Sequence, residues 1–157
     1  MLTRVAQAQQ RWGGASQVID NWLAARSQLI VEYCQLVGQK QPKSAQKLPQ
    51  IEQIQHFCHH LVDYVSTGHF GVFDQIIEDC QDYRRVHGYI HQLAPTTETI
   101  VDFYDQYVEI SDLSELNEFI DTLGVIGESL ENRFTVEDKL LAELYQHVVD
   151  EKAQANP

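Results

Sequence analysis

The sequence predicts an all-α fold, an up-and-down bundle of four to five helices with a long C-terminal helix. Three observations carry this expectation. Apolar residues recur at spacings of three and four along most of the chain, no apolar/polar alternation lasts long enough for a strand, and only four prolines occur, at 42, 49, 95 and 157. At 157 residues the chain has the length of one domain. A fold of this size buries about 68–70% of its unfolded surface, enough for a core without staples. The expected unit is a single domain over residues 1–157, with a short lead at 1–15 and a frayed tail at 151–157.

The first helix follows Gly13-Gly14. Val18, Trp22, Leu29, Tyr33 and Leu36, with Ile19, Leu23, Ile30, Cys34 and Val37, fill a broad apolar stripe. Ser16 is placed to cap this helix, and Gly38 to end it in the left-handed conformation. Residues 38–49, with Lys40, Lys43 and Lys47, read as a basic loop. Pro49 suits the first turn of a second helix, whose face is Ile51, Ile54, Phe57 or Cys58, Leu61, and Tyr64 or Val65. Gly68 is its expected stop. Phe70, Phe73, Ile76 or Ile77, and Cys80 then form a third helix. Gly88 and Pro95 punctuate a weaker stretch, and Ile100, Phe103 or Tyr104, and Tyr107 or Val108 mark a fourth helix.

Asp112-x-x-Glu115 resembles a capping box that would open the last helix. From there Leu116, Phe119, Leu123, Ile126, Leu130, Phe134, Leu141, Leu144 and Val148 recur at three, four or seven residues. A helix unbroken from 113 to 150 would be about 57 Å long. Gly124 and Gly127 each cost near 1 kcal/mol inside it, so they either admit a close neighbour or kink the rod. Glu137 falls on the apolar stripe four residues after Arg133, which makes the two a natural pair, read here as lying at the rim of the bundle.

Composition narrows the function. The longest apolar run, Trp22-Leu23-Ala24-Ala25, is too short for a membrane helix or a signal-peptide core. Cys34, Cys58 and Cys80 form no CxxC pair, so a reduced, cytoplasmic protein is expected, with Cys34 and Cys58 as buried inert thiols. The net charge of −12 is uneven: residues 1–97 balance eight acids against eight Lys/Arg, whereas residues 98–151 hold fifteen acids against Arg133 and Lys139. Such a chain repels phosphate, so direct contact with nucleic acid or an anionic membrane is disfavoured and a basic partner favoured.

No catalytic signature or cofactor motif emerges. There is no Gly-x-Ser-x-Gly turn and no Gly-rich phosphate loop, and no catalytic residue is assigned. The paired carboxylates Glu128/Glu131 read more simply as a solvated helix flank than as an acid–base pair. Seven histidines motivate an alternative of another class, a metal-binding or phosphoryl-accepting four-helix bundle. His56 and His60 are spaced i, i+4, as are His87 and His91. No histidine follows an acid by three residues, which removes the di-iron pattern. A mononuclear site from His56, His59 and His60 fits the spacing, but exposed imidazoles explain it more simply, and no metal is assigned. His59, His60 and His69 lack a lysine within the next turn, which argues against phosphotransfer.

Leu61-Val62-Asp63-Tyr64-Val65-Ser66-Thr67-Gly68-His69-Phe70 combines a helix end, a glycine and a new aromatic start. This segment closely resembles the Rsd/AlgQ family, the regulators of sigma D. The resemblance extends to Val18-Ile19-Asp20-x-Trp22-Leu23, to Leu36-Val37-Gly38-x-Lys40, and to the block from Ile126-Gly127-Glu128 through Arg133-Phe134 to Glu137-Asp138-Lys139-Leu140. Together these blocks cover roughly residues 16–148, and residues 81–97 match least. The resemblance implies a cytoplasmic, helical, non-enzymatic anti-sigma factor without a cofactor. Such a protein binds the C-terminal DNA-binding region of the primary sigma factor. It thereby blocks contact with −35 promoter DNA and with core RNA polymerase, and so regulates transcription. It also implies a sigma-facing surface at Asp63, Ser66, His69 and Phe70, with Phe73 as an apolar anchor or a core residue and with Glu128 and Glu131 as flanking acids. The free protein is expected to be a monomer or a weak homodimer.

Overall fold

A computed structural model describes residues 17–38 and 50–155 of the chain, the side chains of Leu113 and of 147–152 excepted. It is an all-α bundle, with no strand among the described residues. Helix α1 spans Gln17–Gly38, α2 Ile51–Thr67, α3 Phe73–Asp79, α4 Tyr83–Gln92, α5 Ala94–Tyr107 and α6 Phe119–Ala155. The predicted Ser16 cap, the Pro49 start and the basic loop at 39–49 lie outside the described residues.

The core is built by the stripes the periodicity predicts. Ile19, Trp22, Leu23, Leu29 and Ile30 of α1 meet Ile54, Phe57, Leu61 and Tyr64 of α2. Ile100, Phe103 and Tyr107 of α5, with Leu123, Ile126, Leu130 and Phe134 of α6, close the same apolar interior. Each fully buried aliphatic or aromatic side chain contributes about 1.5–3 kcal/mol relative to exposure. Helix α2 therefore sits between α1 and α5, while α6 packs against α1, α3, α4 and α5.

Several local expectations are corrected. Gly68 does not stop the second helix: its backbone is right-handed, with φ −58° and ψ −54°. The chain instead widens into a single π-helical turn, Gly68–Val72, and continues directly into α3, so residues 51–79 form one rod. Gly68 serves close packing rather than a turn. A Cβ there would lie 3.3 Å from the Trp22 indole and 3.4 Å from the Phe73 ring, both in the core. The weak stretch near Gly88 is helical, because Asp82 accepts a hydrogen bond from the Arg85 backbone N–H at 3.0 Å and caps α4. With Pro95 in its first turn, α5 begins at Ala94, earlier than its apolar residues show.

The long C-terminal helix α6 also starts later than the sequence suggests. Asp112 does cap, accepting from Ser114 N–H at 3.0 Å, but what it opens is a 3₁₀ turn over Leu113–Leu116. The long helix follows from Phe119, runs for 37 residues, or about 55 Å, and remains helical to Ala155. It passes both glycines unbroken. Gly127 serves close approach: a Cβ would fall 2.0 Å from the Tyr33 hydroxyl, which donates to the Leu123 carbonyl at 3.0 Å. Gly124 faces open space. Gly38 is still helical at the end of α1 and meets nothing, so the left-handed stop expected there is absent.

Of the three thiols, Cys58 is buried as expected, and burial pushes its pKa up to about 12, so it is inert at neutral pH. Cys34 is exposed, contrary to expectation. The buried stripe of α1 passes from Ile30 to Leu36 with Tyr33 half-buried between them, which leaves Cys34 on the flank.

Candidate functional site: a groove over a buried charge network

The π turn has a structural consequence. Its Phe73 N–H bonds back to the Gly68 carbonyl, five residues earlier, so the turn holds one residue more than an α-helical turn. The extra residue turns Val72 and Phe73 into the core while Phe70 points outward, 82% exposed. His69 is half-buried, its ring edge-on to Phe73 at 5.0 Å.

Beside this turn runs a groove of about 630 Å³. Val62, Val65 and Ser66 form one wall, Thr97, Ile100 and Val101 of α5 the other, and His69, Phe70 and Asp74 close the end. Its surface is mainly apolar, and Phe70 stands in water at its edge. Of the residues singled out in the sequence, Ser66, His69 and Phe70 are thus brought together. Asp63 is exposed and one helical step from Ser66, at i, i+3 on α2, so it stands next to the groove without lining it. Glu128 and Glu131 are exposed on α6 and do not line the groove. Phe73 is core, 1% exposed and edge-on to Trp22 at 5.8 Å, and so is not a surface anchor.

Beneath the groove lies a network that sequence reasoning largely missed. Arg26, Arg133 and Glu137 are each completely buried. The pair Arg133–Glu137 is therefore not at the rim. Arg133 Nε donates to Glu137 Oε1 at 2.8 Å, while Arg26 Nη2 donates to Glu137 Oε2 at 3.0 Å. Arg26 Nη1 also reaches Asp138 at 2.7 Å and Arg26 Nε the Tyr64 hydroxyl at 3.0 Å. Tyr64 in turn donates to Glu137 Oε2. Two guanidiniums and two carboxylates sum to zero charge, which is how the interior tolerates them. Burial alone would lower the Arg26 pKa, but the neighbouring Tyr64, Glu137 and Asp138 more than reverse this and hold it charged. Burial pushes the Tyr64 hydroxyl far above the usual phenol range, so it remains a donor.

Aromatic rings sheath these charges. Trp22 stacks on Tyr64 with centroids 5.1 Å apart and planes 2° from parallel, and its Nε1 donates to the Tyr64 carbonyl at 3.2 Å. The Arg26 guanidinium lies 5.2 Å from the Trp22 ring centre and 4.8 Å from that of Phe134. The signal for Arg26 was present: it falls at i+3 from Leu23 and i−4 from Ile30, in the middle of the apolar stripe.

The network reaches the groove through Arg133. Its Nη1 donates to the hydroxyls of Thr96 at 3.1 Å and Thr97 at 2.9 Å, and its Nη2 lies 3.4 Å from His69 Nε2. Because guanidinium only donates, His69 Nε2 must be the bare acceptor of a neutral imidazole. Burial, and then the Arg133 charge, lower the His69 pKa against an opposing pull from Asp74. The unfolded chain therefore binds this proton more readily than the folded one. Neutral His69 contributes stability above about pH 6.5, and the contribution is lost as pH falls through the lowered folded value. Urea unfolding at about pH 7.5 and about pH 5.5 should show a smaller pH-dependent loss for His69→Gln, which keeps an acceptor but no titratable proton. Equal losses in both proteins would remove His69 as the titrating group.

Residues 1–145 match the family described as "Regulator of RNA polymerase sigma(70) subunit, Rsd/AlgQ". The chain is 37% identical to a protein named "Regulator of sigma D" from Yersinia pseudotuberculosis serotype O:1b (strain IP 31758), covering 99% of this chain and all of the relative. Proteins of the same name from Yersinia enterocolitica and Enterobacter sp. (strain 638) are 38% identical, each covering 90% of this chain and 88% of the relative. Among the described residues no helix is long and apolar enough to cross a membrane. The chain belongs to the Rsd/AlgQ family of regulators of the RNA polymerase sigma(70) subunit.

Proposed function

We propose that this chain is a cytoplasmic anti-sigma factor that captures the C-terminal DNA-binding region of the primary sigma factor in the groove between α2, the π turn and α5. So held, that region could not reach −35 promoter DNA or core polymerase. The observation that carries the reading is Phe70, a ring left 82% exposed at the lip of an apolar groove, where burial against a partner would be favourable. The acidic half supplies the rest. A helix-turn-helix reader carries lysines and arginines for phosphates and bases. The exposed acids between residues 98 and 131, with Asp74 at the groove and Asp63 beside it, complement such a surface. The protein acts by occupying its partner and needs no catalytic group.

Size-exclusion chromatography with light scattering, with and without the C-terminal region of the primary sigma factor from the same organism, tests this directly. A 1:1 complex is expected, and the run without sigma reports whether the free protein is a monomer or a weak homodimer. The complex should weaken as salt rises, since exposed charges are screened over about 8 Å at physiological ionic strength. Asp63→Ala should weaken binding several-fold without changing the thermal melt. No complex at micromolar concentration and low salt would overturn the proposal.

A further inference from the structure

A second cluster lies around the middle of α2, on a face the groove does not use. His56 and His60, one helical turn apart, hold their rings 4.2 Å from one another. Glu32 reaches them from α1, its two carboxylate oxygens 2.7 and 2.8 Å from His60 Nδ1. One ligand atom from each of the three side chains lies within 4.8 Å of the others, and no other such trio of His, Cys, Asp or Glu occurs among the described residues. His59, which the sequence grouped with them, turns instead to the Tyr104 ring at 5.9 Å.

We propose that Glu32, His56 and His60 form a binding site for a single divalent zinc ion. Two imidazole nitrogens and one carboxylate oxygen are a three-ligand zinc set, with the fourth position left to water. Ligand atoms sharing a tetrahedral zinc stand about 3.3 Å apart at the usual bond lengths. To share one ion, the Glu32–His60 contact would open by about half an ångström and the remaining ligand atoms, all now within 4.8 Å of one another, would close toward that spacing. The surroundings permit this. The side chain of His60 is 37% exposed and that of Glu32 13%, and His56 is exposed. A cavity of about 290 Å³ lined by Glu32, His56, Gln35 and Gln53 adjoins the cluster, with room for the water ligand. The nearby glutamine amides can hold that water.

Such an ion would tie α1 to α2. It would do so about 9 Å (His60) to 15 Å (His56) along the helix from Ser66, at a rise of about 1.5 Å per residue and on another face, so it need not disturb the groove. Its effect would be on the stability of the helix pair rather than on chemistry.

The test is calorimetric titration of untagged, chelator-treated full-length protein with zinc chloride, accompanied by thermal melts with and without zinc. One zinc per chain is expected, with a melting point raised by several degrees at a hundredfold excess over Kd. His60→Ala and Glu32→Gln should each weaken binding at least tenfold, whereas His59→Ala should leave it unchanged. Melts without zinc confirm that these variants fold. Absence of saturable binding would overturn the proposal and leave Glu32–His60 as an ion pair alone. So would a loss for His59→Ala equal to that for His60→Ala, which would mark scattered surface imidazoles.

Discussion

Glu137→Ala is expected to lower stability by about 3–5 kcal/mol, the effect of removing one partner from a buried charge group. Glu137 is the anion shared by Arg26 and Arg133, all three fully buried. Its loss leaves two guanidiniums facing one vacated position. Arg26 retains Asp138, but Arg133 keeps only the Thr96 and Thr97 hydroxyls and His69. Tyr64 loses its acceptor as well. Against a typical total of 5–15 kcal/mol this is a large fraction, and it corresponds to a fall in Tm of roughly 6–20 °C for a chain of this size. Urea unfolding of Glu137→Ala beside Glu131→Ala, an exposed acid on the same helix, isolates the effect. The control should stay within about 0.5 kcal/mol of the parent. A loss below about 1 kcal/mol for Glu137→Ala would show that water enters and solvates the arginines.

The same network shows how far the sequence could be read. Apolar periodicity located the helix cores because burial is a one-residue property repeated along a face, and Leu23, Ile54, Ile100 and Leu130 each fall where spacing puts them. Arg133 and Glu137 were legible as a pair because both lie on one helix. Their burial was not, since it depends on Arg26 and Tyr64, which are 111 and 73 residues from Glu137 in sequence. Gly68 was misread for a related reason. A glycine after a helical run is an ordinary stop signal, and only the packed Trp22 and Phe73 rings reveal that it serves close approach. The helix at 83–92 escaped detection because its stripe is short: Val86, Tyr89 and Ile90 face the core, only Val86 is fully buried, and Gly88 interrupts them. At the site, Ser66, His69 and Phe70 came from the resemblance. The groove that joins them to Thr97, Ile100 and Val101 is a tertiary feature.

Phe70→Ala is the second large effect, and it should appear in binding rather than in folding. With 82% of its surface in water the ring contributes little to the core, so the melt of the variant should match that of the parent. A partner that covers the groove would desolvate the ring together with Val62, Val65 and Val101. Aromatic anchors of this kind typically carry 2 kcal/mol or more, so the affinity for the sigma C-terminal region should fall about thirtyfold or further. Phe73→Ala supplies the contrast. That ring is 1% exposed and packs against Trp22, so its truncation should cost about 3–5 kcal/mol of stability. Two phenylalanines three residues apart would then fail in different assays. The difference follows from the π turn, whose one extra residue directs Phe73 inward and leaves Phe70 outside. If Phe70→Ala bound sigma as tightly as the parent while melting at the same temperature, the groove would not be the docking surface. Sigma would then have to engage another face, and the exposed acids Glu128 and Glu131 of α6 would be the next to substitute.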